Sequence, residues 1–578
     1  MKRLVVAALI AGCGGGSSHT HHVPTKVAKA GSRTISIVGT NDLHGQLDRL
    51  PLFGGFIKNL REARAADGGG VLLVDAGDLF QGTLESNIAE GADVIKAYNQ
   101  LGYAASAVGN HEFDYGPEGP QVIAHGDEDP RGALRARASE AKFPFLVTNI
   151  LDEKSDQRIK WQNMPASTLV DVAGTQVGIL GASTESTPFT TMTVNFAGLK
   201  MGQPTARYIA DEAKALRSRG AQVVVLTMHI GSSCKNNENV DDLSSCDQNE
   251  ELFKVLSDLP KGLVDVVIAG HTHAAIAKRI DGMAVIESYS SGRAFGRVDL
   301  RVTETHVSSV KIMPPMVMCP LDKDNNPAAL ADCHPEQYEG KTVVADADVQ
   351  KIVDDALART ADKRTEKLGV TLGGPITKAY KAESQEGNWF TDLMLAAQPT
   401  ADVAMTNGGG LRADIPAGDL TYERLYSAIP FDNRFALVTL KGKHIRRLVS
   451  QNVQRDNGFQ SWGGLTVVAK CKAGALDTVI KVKGKMLADE ATYTLVTSDF
   501  LASGGDGVIG RLKLPDGSIK ITDSIMRDGM ADVLRKQKGT IDPNKLFGAN
   551  AKRFELEGGQ RPLVCQGPKQ QQKVEEPD

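Results

Sequence analysis

TISIVGTNDLHG (34–45) is the stretch on which the fold turns. A short, mostly β-branched run stops at a polar loop, Thr40-Asn41-Asp42-Leu43-His44-Gly45. A near-continuous apolar run of this kind suits a strand buried on both faces. The pattern recurs in VLLVDAG (71–77), ASAVG (105–109), QVGILGAS (176–183), QVVVLTMH (222–229) and VDVVIAG (264–270). Helical stretches at 84–101 and 203–219 lie between these runs. Strands alternating with helices predict an α/β layered domain over 34–313, closing with AVIES (284–288) and GRVDLRV (296–302).

Outward from that domain the chain changes character. Lys2 and Arg3 precede an apolar run, Leu4 to Ile10, that is too short to span a bilayer. The run ends in LIAGC (9–13), which resembles a bacterial lipobox and makes Cys13 the expected lipidation site; the other reading is an ordinary signal peptide with Cys13 incidental. Residues 1–13 are thus expected to export the chain and 14–33 to tether it, lipid-anchored, to a bacterial membrane in the periplasm or at the cell surface. Six further cysteines, Cys234, Cys246, Cys319, Cys333, Cys471 and Cys565, form an even set suited to disulfides in an exported chain. Cys234/Cys246 and Cys319/Cys333 are close enough in sequence to pair, but the connectivity stays open. A net charge of -4 without a dense Lys/Arg stripe argues against polymeric nucleic acid as a partner.

Residues 314–345 read as a Pro/Asp/Asn-rich linker loop, and 346–367 as an amphipathic, solvent-facing helix joining two domains. A second domain is expected over 368–562, with strands in DVAMTNGG (402–409), ALVTLKG (436–442) and YTLVTSDF (493–500), followed by a disordered tail, 563–578.

The chemistry collects at the strand ends. After successive runs come Asp42-Leu43-His44, Asp75-Ala76-Gly77-Asp78, Asn110-His111-Glu112-Phe113-Asp114, His229 and His271-Thr272-His273. Open α/β sheets place their ligands at this edge. In Asp42-x-His44 and His271-x-His273 the paired side chains point the same way if extended, so each pair can face one metal. Oxygen and imidazole donors without cysteine suit a hydrolytic metal site rather than a structural zinc knot. Read singly, a DxH is a capped loop, DAGD a turn and His229 a core histidine. Five such pieces at the ends of successive strands are not accounted for that way.

TNDLHG (40–45), DAGD (75–78), GNHEFDYG (109–116), MHIG (228–231) and GHTH (270–273) together resemble the calcineurin-like metallophosphoesterases, and more narrowly the bacterial and animal 5′-nucleotidase family. The resemblance implies a four-layer α/β/β/α domain holding two divalent ions, Zn²⁺ or Mn²⁺. One ion takes Asp42, His44, Asp78 and His273; the other takes Asp78, Asn110, His229 and His271, with Asp78 bridging and Asp75 in support. His111 would act on the phosphoryl group and Asp114 would orient it. A water activated by the ions would release phosphate from extracytoplasmic nucleotides, with nucleoside diphosphates or UDP-sugars as further substrates.

The second half adds Glu383-Ser384, Gly387-Asn388, NGGGLRADIPAGDLT (407–421), PFDN (430–433) and SDFLASGGDG (498–507), which resemble the mixed α/β nucleotidase C-terminal domain. By position, Phe431 and Phe500 would sandwich the base, Asp506 would bind ribose hydroxyls, and Asn407 and Arg412 would contact base, ribose or phosphate. Some relatives carry an Arg just before the Glu-Ser pair, where this chain reads Lys378-Ala379-Tyr380-Lys381-Ala382. Lysine replaces the charge but not the bidentate fork. Two other readings are carried forward. One is a 2′,3′-cyclic nucleotide phosphodiesterase with 3′-nucleotidase activity, from which Asp114 leans away. The other is a surface lipoprotein that binds nucleotide or metal without turnover.

Overall fold

The computed structural model describes residues 32–303, 306–320, 333, 337–548 and 551–565. The signal and lipobox with Cys13, the tether up to residue 31, residues 321–332 and 334–336 of the linker loop and the tail beyond Cys565 lie outside the described residues.

The first domain is built on two stacked sheets. One runs in the order Val307–Ile312, Ala294–Val302, Arg33–Thr40, Gly70–Asp75, Ala105–Ala107, Phe145–Leu146. The other runs Ala275–Ile280, Met283–Ser288, Val266–Ala269, Val223–His229, Thr175–Ser183, Ser167–Val172. Between them Ile35, Ile37, Leu72 and Val74 meet Ile179, Val225, Ile268 and Ile286 in one buried layer. Both faces of these strands are covered, which explains the unbroken apolar runs. Helices Leu50–Ala66 and Ala92–Leu101 cover the first sheet and helices Thr205–Ser218 and Glu251–Ser257 the second. This gives the four layers expected. The central strands of each sheet pair in parallel, so their carboxyl ends reach one rim together.

Three details differ from the sequence reading. The helix expected over 84–101 is two, Leu84–Ile88 and Ala92–Leu101, broken where Gly91 takes φ 81°. The joining helix, Ala347–Thr365, is docked rather than solvent-facing: Val349, Val353 and Ala356 enter the first domain's core with Tyr338 and Val343. Its apolar stripe is narrow, so the composition looked polar. The tail begins later than expected, because Leu563 packs on the second domain and Cys565 bonds Cys471.

In the second domain a five-stranded sheet runs Gln460–Gly463, Val403–Asn407, Thr492–Ser498, Arg434–Lys441, Ile519–Ile525. Its strands alternate between two cores: Val403 and Met405 face helix Gly442–Gln454, while Ala404 faces helices Gln385–Ala397 and Met526–Lys536. Disulfides join Cys234–Cys246, Cys319–Cys333 and Cys471–Cys565. No helix of the described residues is long and apolar enough to cross a membrane.

Candidate active site

The loops that leave the parallel strands hold one another in unusual backbone shapes. Asp42, His44, Asp78, His271 and His273 all take positive φ, at 51°, 51°, 58°, 80° and 57°. Non-glycine residues in this region cost about 1–3 kcal/mol each and persist only where the surroundings enforce them. Here the amides of Asp42, His44 and Gly45 bond the carbonyls of Gly77, Asp78 and Leu79 at 3.0, 3.0 and 2.9 Å. The amide of His271 bonds Asp42 Oδ2 at 2.9 Å. Glycines let these loops touch: a Cβ on Gly109 would lie 2.2 Å from Asp78 Oδ1, and one on Gly77 would lie 2.7 Å from the amide of Gly109.

Two donor triads result, Asp42/His44/His273 and Asp78/His229/His271, the donor atoms of each lying within 4.8 Å of one another. His44 Nε2 and His273 Nε2 stand 2.9 Å apart, and His273 Nε2 is 3.3 Å from Asp42 Oδ1. His229 Nε2 is 3.0 Å from Asp78 Oδ2, 3.1 Å from Asn110 Oδ1 and 3.2 Å from His271 Nδ1. The far nitrogens are occupied: His44 Nδ1 donates to the Gln81 carbonyl at 2.9 Å and His229 Nδ1 to the Ala76 carbonyl at 2.8 Å. Those bonds fix the tautomer and turn each Nε2 lone pair into the pocket, as the far hydrogen bond of a metal-ligating histidine does. Lone pairs and carboxylates facing one another at these distances repel unless a cation lies among them, so the donor set fits divalent ions.

His111 sits at the edge of both triads. Its amide donates to Asp78 Oδ1 at 2.9 Å, while its Nε2 stays 4.0 Å from Asp78 Oδ2. Its Nδ1 bonds Asp114 Oδ2 at 2.5 Å, and Thr191 Oγ1 donates to the other Asp114 oxygen at 2.8 Å. Burial alone would lower the imidazole pKa, but the charges of Asp114 and Asp78 raise it above its ordinary value. Asp75 points away from the triads and accepts from Thr40, Tyr98, Ser106 and the amide of Gly77, with burial raising its pKa to about 7.

The second domain closes the site. A cleft of about 1630 Å³ is lined by residues of both triads together with Asn407, Arg412, Phe431, Phe500 and Asp506. Arg412 Nη2 reaches His44 Nε2 at 3.1 Å, and its guanidinium lies 5.8 Å from the Phe431 ring centre. The Phe431 ring is in turn 5.7 Å from that of His111. Asn407 donates to Asp506 Oδ2 at 2.8 Å, and the Phe500 ring lies so close over Gly505 that a Cβ there would be 2.5 Å from it.

All seven residues expected as ligands therefore meet on one rim, and all five expected substrate contacts line the cleft in front of it. Sequence reasoning missed several supports. Glu112 is buried and accepts from the amides of Asp78, Leu79 and Gly109, tying the two loops together; burial beside the charge of Asp78 raises its pKa. Asn41 links the sheets, donating to Asp42 Oδ2 at 2.7 Å and to the Tyr289 carbonyl at 2.5 Å, and accepting from the Ser288 amide at 2.8 Å. Glu287 receives the Thr272 hydroxyl at 2.6 Å beneath His271 and His273. Glu112 and Asn41 lie inside the quoted motifs, so position was a signal; Glu287, at the polar end of the strand AVIES (284–288), had no motif to mark it. Tyr380 also lines the cleft, 55% exposed, its ring against Gly458 and Gly409.

Residues 35–275 match the family model of the calcineurin-like phosphoesterases, and residues 361–511 that of the 5′-nucleotidase C-terminal domain. The chain is 25% identical over 510 residues to Protein UshA of Yersinia enterocolitica, covering 82% of this chain and 86% of that one. It is 26% identical over 542 residues to human 5′-nucleotidase, covering 83% and 84%. The crystal structure of a 5′-nucleotidase precursor from Thermus thermophilus superposes with a TM-score of 0.68 at 22% identity, over 90% of this chain and 99% of that one, which shows a shared fold.

Proposed function

Since the chain belongs to the family in which a calcineurin-like phosphoesterase domain precedes a 5′-nucleotidase C-terminal domain, we propose that it is a two-metal hydrolase releasing phosphate from nucleotides. The observation that carries this reading is the convergence of two His/carboxylate triads at the mouth of a cleft walled by two phenylalanines and an arginine of the second domain. Asp42, His44, Asp78 and His273 would hold one divalent ion and Asp78, Asn110, His229 and His271 the other, Zn²⁺ or Mn²⁺ by donor type. Bound there, the ions would neutralise phosphoryl charge and make a water nucleophilic at neutral pH.

The remaining steps fall to side chains. His111, whose pKa the charges of Asp114 and Asp78 raise, would face the phosphoryl position and donate to an oxygen that gains charge as the ester bond breaks. Arg412 reaches the same pocket with a planar fork suited to phosphate oxygens. Phe431 and Phe500 would hold the base, stacking on any base at about 1–3 kcal/mol each. Asp506, oriented by Asn407, would accept ribose hydroxyls.

Three disulfides support an oxidising compartment. With LIAGC (9–13) they support a lipid-anchored, extracytoplasmic nucleotidase, tethered through Cys13.

The test is phosphate release from AMP, ADP, UDP-glucose and 2′,3′-cyclic AMP with Mn²⁺ or Zn²⁺, and again after chelation. AMP turnover that chelator abolishes and metal restores is the expected result. Turnover of the cyclic substrate alone would favour the phosphodiesterase reading, and no release from any of the four would favour a binding protein.

A further inference from the structure

One carbonyl of the second domain is gripped by two side chains of the first. The Pro430 carbonyl of the second domain accepts from Gln81 Nε2 and Asn87 Nδ2 of the first, both at 2.9 Å. Both amides are buried, at 2% and 6% exposure. Gln81 Oε1 has no partner among the described residues, so the bond to Pro430 is the one hydrogen bond that justifies burying this side chain. Asn87 is oriented for its bond, because its Oδ1 accepts from the Gly82 amide at 3.0 Å and the Tyr115 hydroxyl at 2.9 Å. Leu84, on the same short helix as Asn87, is buried in the second domain's core.

Pro430 immediately precedes Phe431, whose ring lies beside His111 and Arg412. From its own domain this loop is held by buried Arg527, which donates to the Phe431 carbonyl at 3.1 Å, pairs with Asp432 and lies 3.8 Å from the Tyr426 ring centre. Gln81 therefore touches both halves of the site: its backbone carbonyl holds His44 and its side chain holds the loop that carries Phe431.

We propose that Gln81 and Asn87 are positioning residues, a clamp on the Pro430 carbonyl that sets the Phe431 ring against the metal pocket. This rests on the nucleotide reading above. The clamp registers nucleoside recognition in the second domain to phosphate position in the first, so its loss falls on substrates that carry a base.

The experiment compares AMP with p-nitrophenyl phosphate, which has no nucleoside, in Gln81→Met and Asn87→Asp. Gln81→Met removes one donor without adding charge; Asn87→Asp keeps the acceptor for Gly82 and Tyr115 but turns a carboxylate oxygen toward the Pro430 carbonyl, so its loss should be the larger, and it stands in should Gln81→Met fold poorly. Losing one neutral hydrogen bond should raise KM for AMP about fivefold, and losing both about twentyfold or more. The ratio of kcat/KM for AMP to that for p-nitrophenyl phosphate should fall in step. Each variant is then combined with Phe431→Ala. If the clamp acts through the ring, Phe431→Ala raises KM for AMP by itself and the clamp variants add less than about twofold to it. Equal losses on both substrates, or an undiminished clamp effect without the ring, would overturn the clamp while leaving the nucleotide reading intact. Phe431→Ala without effect on AMP would overturn base stacking, and the clamp with it.

Discussion

Asp78→Asn is expected to leave fewer than two metal ions per chain and to lower kcat/KM for AMP by about a thousandfold or more. Asp78 is buried, with His229 Nε2 at 3.0 Å and His44 and His111 each at 4.0 Å from Oδ2. In the proposed two-ion site it is the carboxylate that both ions would share, so its charge would serve both. The amide keeps the shape and an acceptor for the His111 amide but removes the charge. Cation stabilisation of a phosphoryl transition state is worth several kcal/mol, and each 1.36 kcal/mol is about tenfold in rate. Metal content by elemental analysis and steady-state kinetics on the same preparation check both halves of the prediction. Two retained ions and activity within about tenfold of the parent would remove Asp78 from its bridging role.

His111→Ala should behave differently. His111 Nε2 lies 4.0 Å from Asp78 Oδ2, and neither donor triad includes it. Metal content should therefore stay within about twofold of the parent while kcat falls by about 10²–10³, the usual cost of deleting one donor to developing oxyanion charge. KM for AMP should change little, because the ring acts most strongly as charge develops. Loss of metal in this variant would place His111 among the ligands. The contrast between the two variants, one losing metal and rate together and the other rate alone, separates holding the ions from using them.

The legible part of this protein was the part where polarity is costly. TISIVG, VLLVD and VVVLTMH read as strands because both faces are covered, and the residues just past them read as a site because Asp, Asn and His directly after buried strands need partners. Non-contiguous support was not legible. Glu112 holds the amides of Asp78, Leu79 and Gly109 through a turn whose shape no local pattern encodes. The Gln81–Pro430 bond spans 349 positions of sequence and depends on how two domains seat. The docked helix Ala347–Thr365 misled because only Val349, Val353, Ala356 and Thr360 of its 19 residues are buried, too few to outweigh its charged composition. The third disulfide, Cys471–Cys565, closes 94 residues and had no sequence proximity to suggest it.

Anomalous diffraction from crystals grown with Mn²⁺ or Zn²⁺ tests the central claim most directly. Two peaks are predicted, one among Asp42, His44 and His273 and the other among Asn110, His229 and His271, with Asp78 between them. A single peak, or peaks elsewhere with these side chains hydrogen-bonded only to one another, would contradict it.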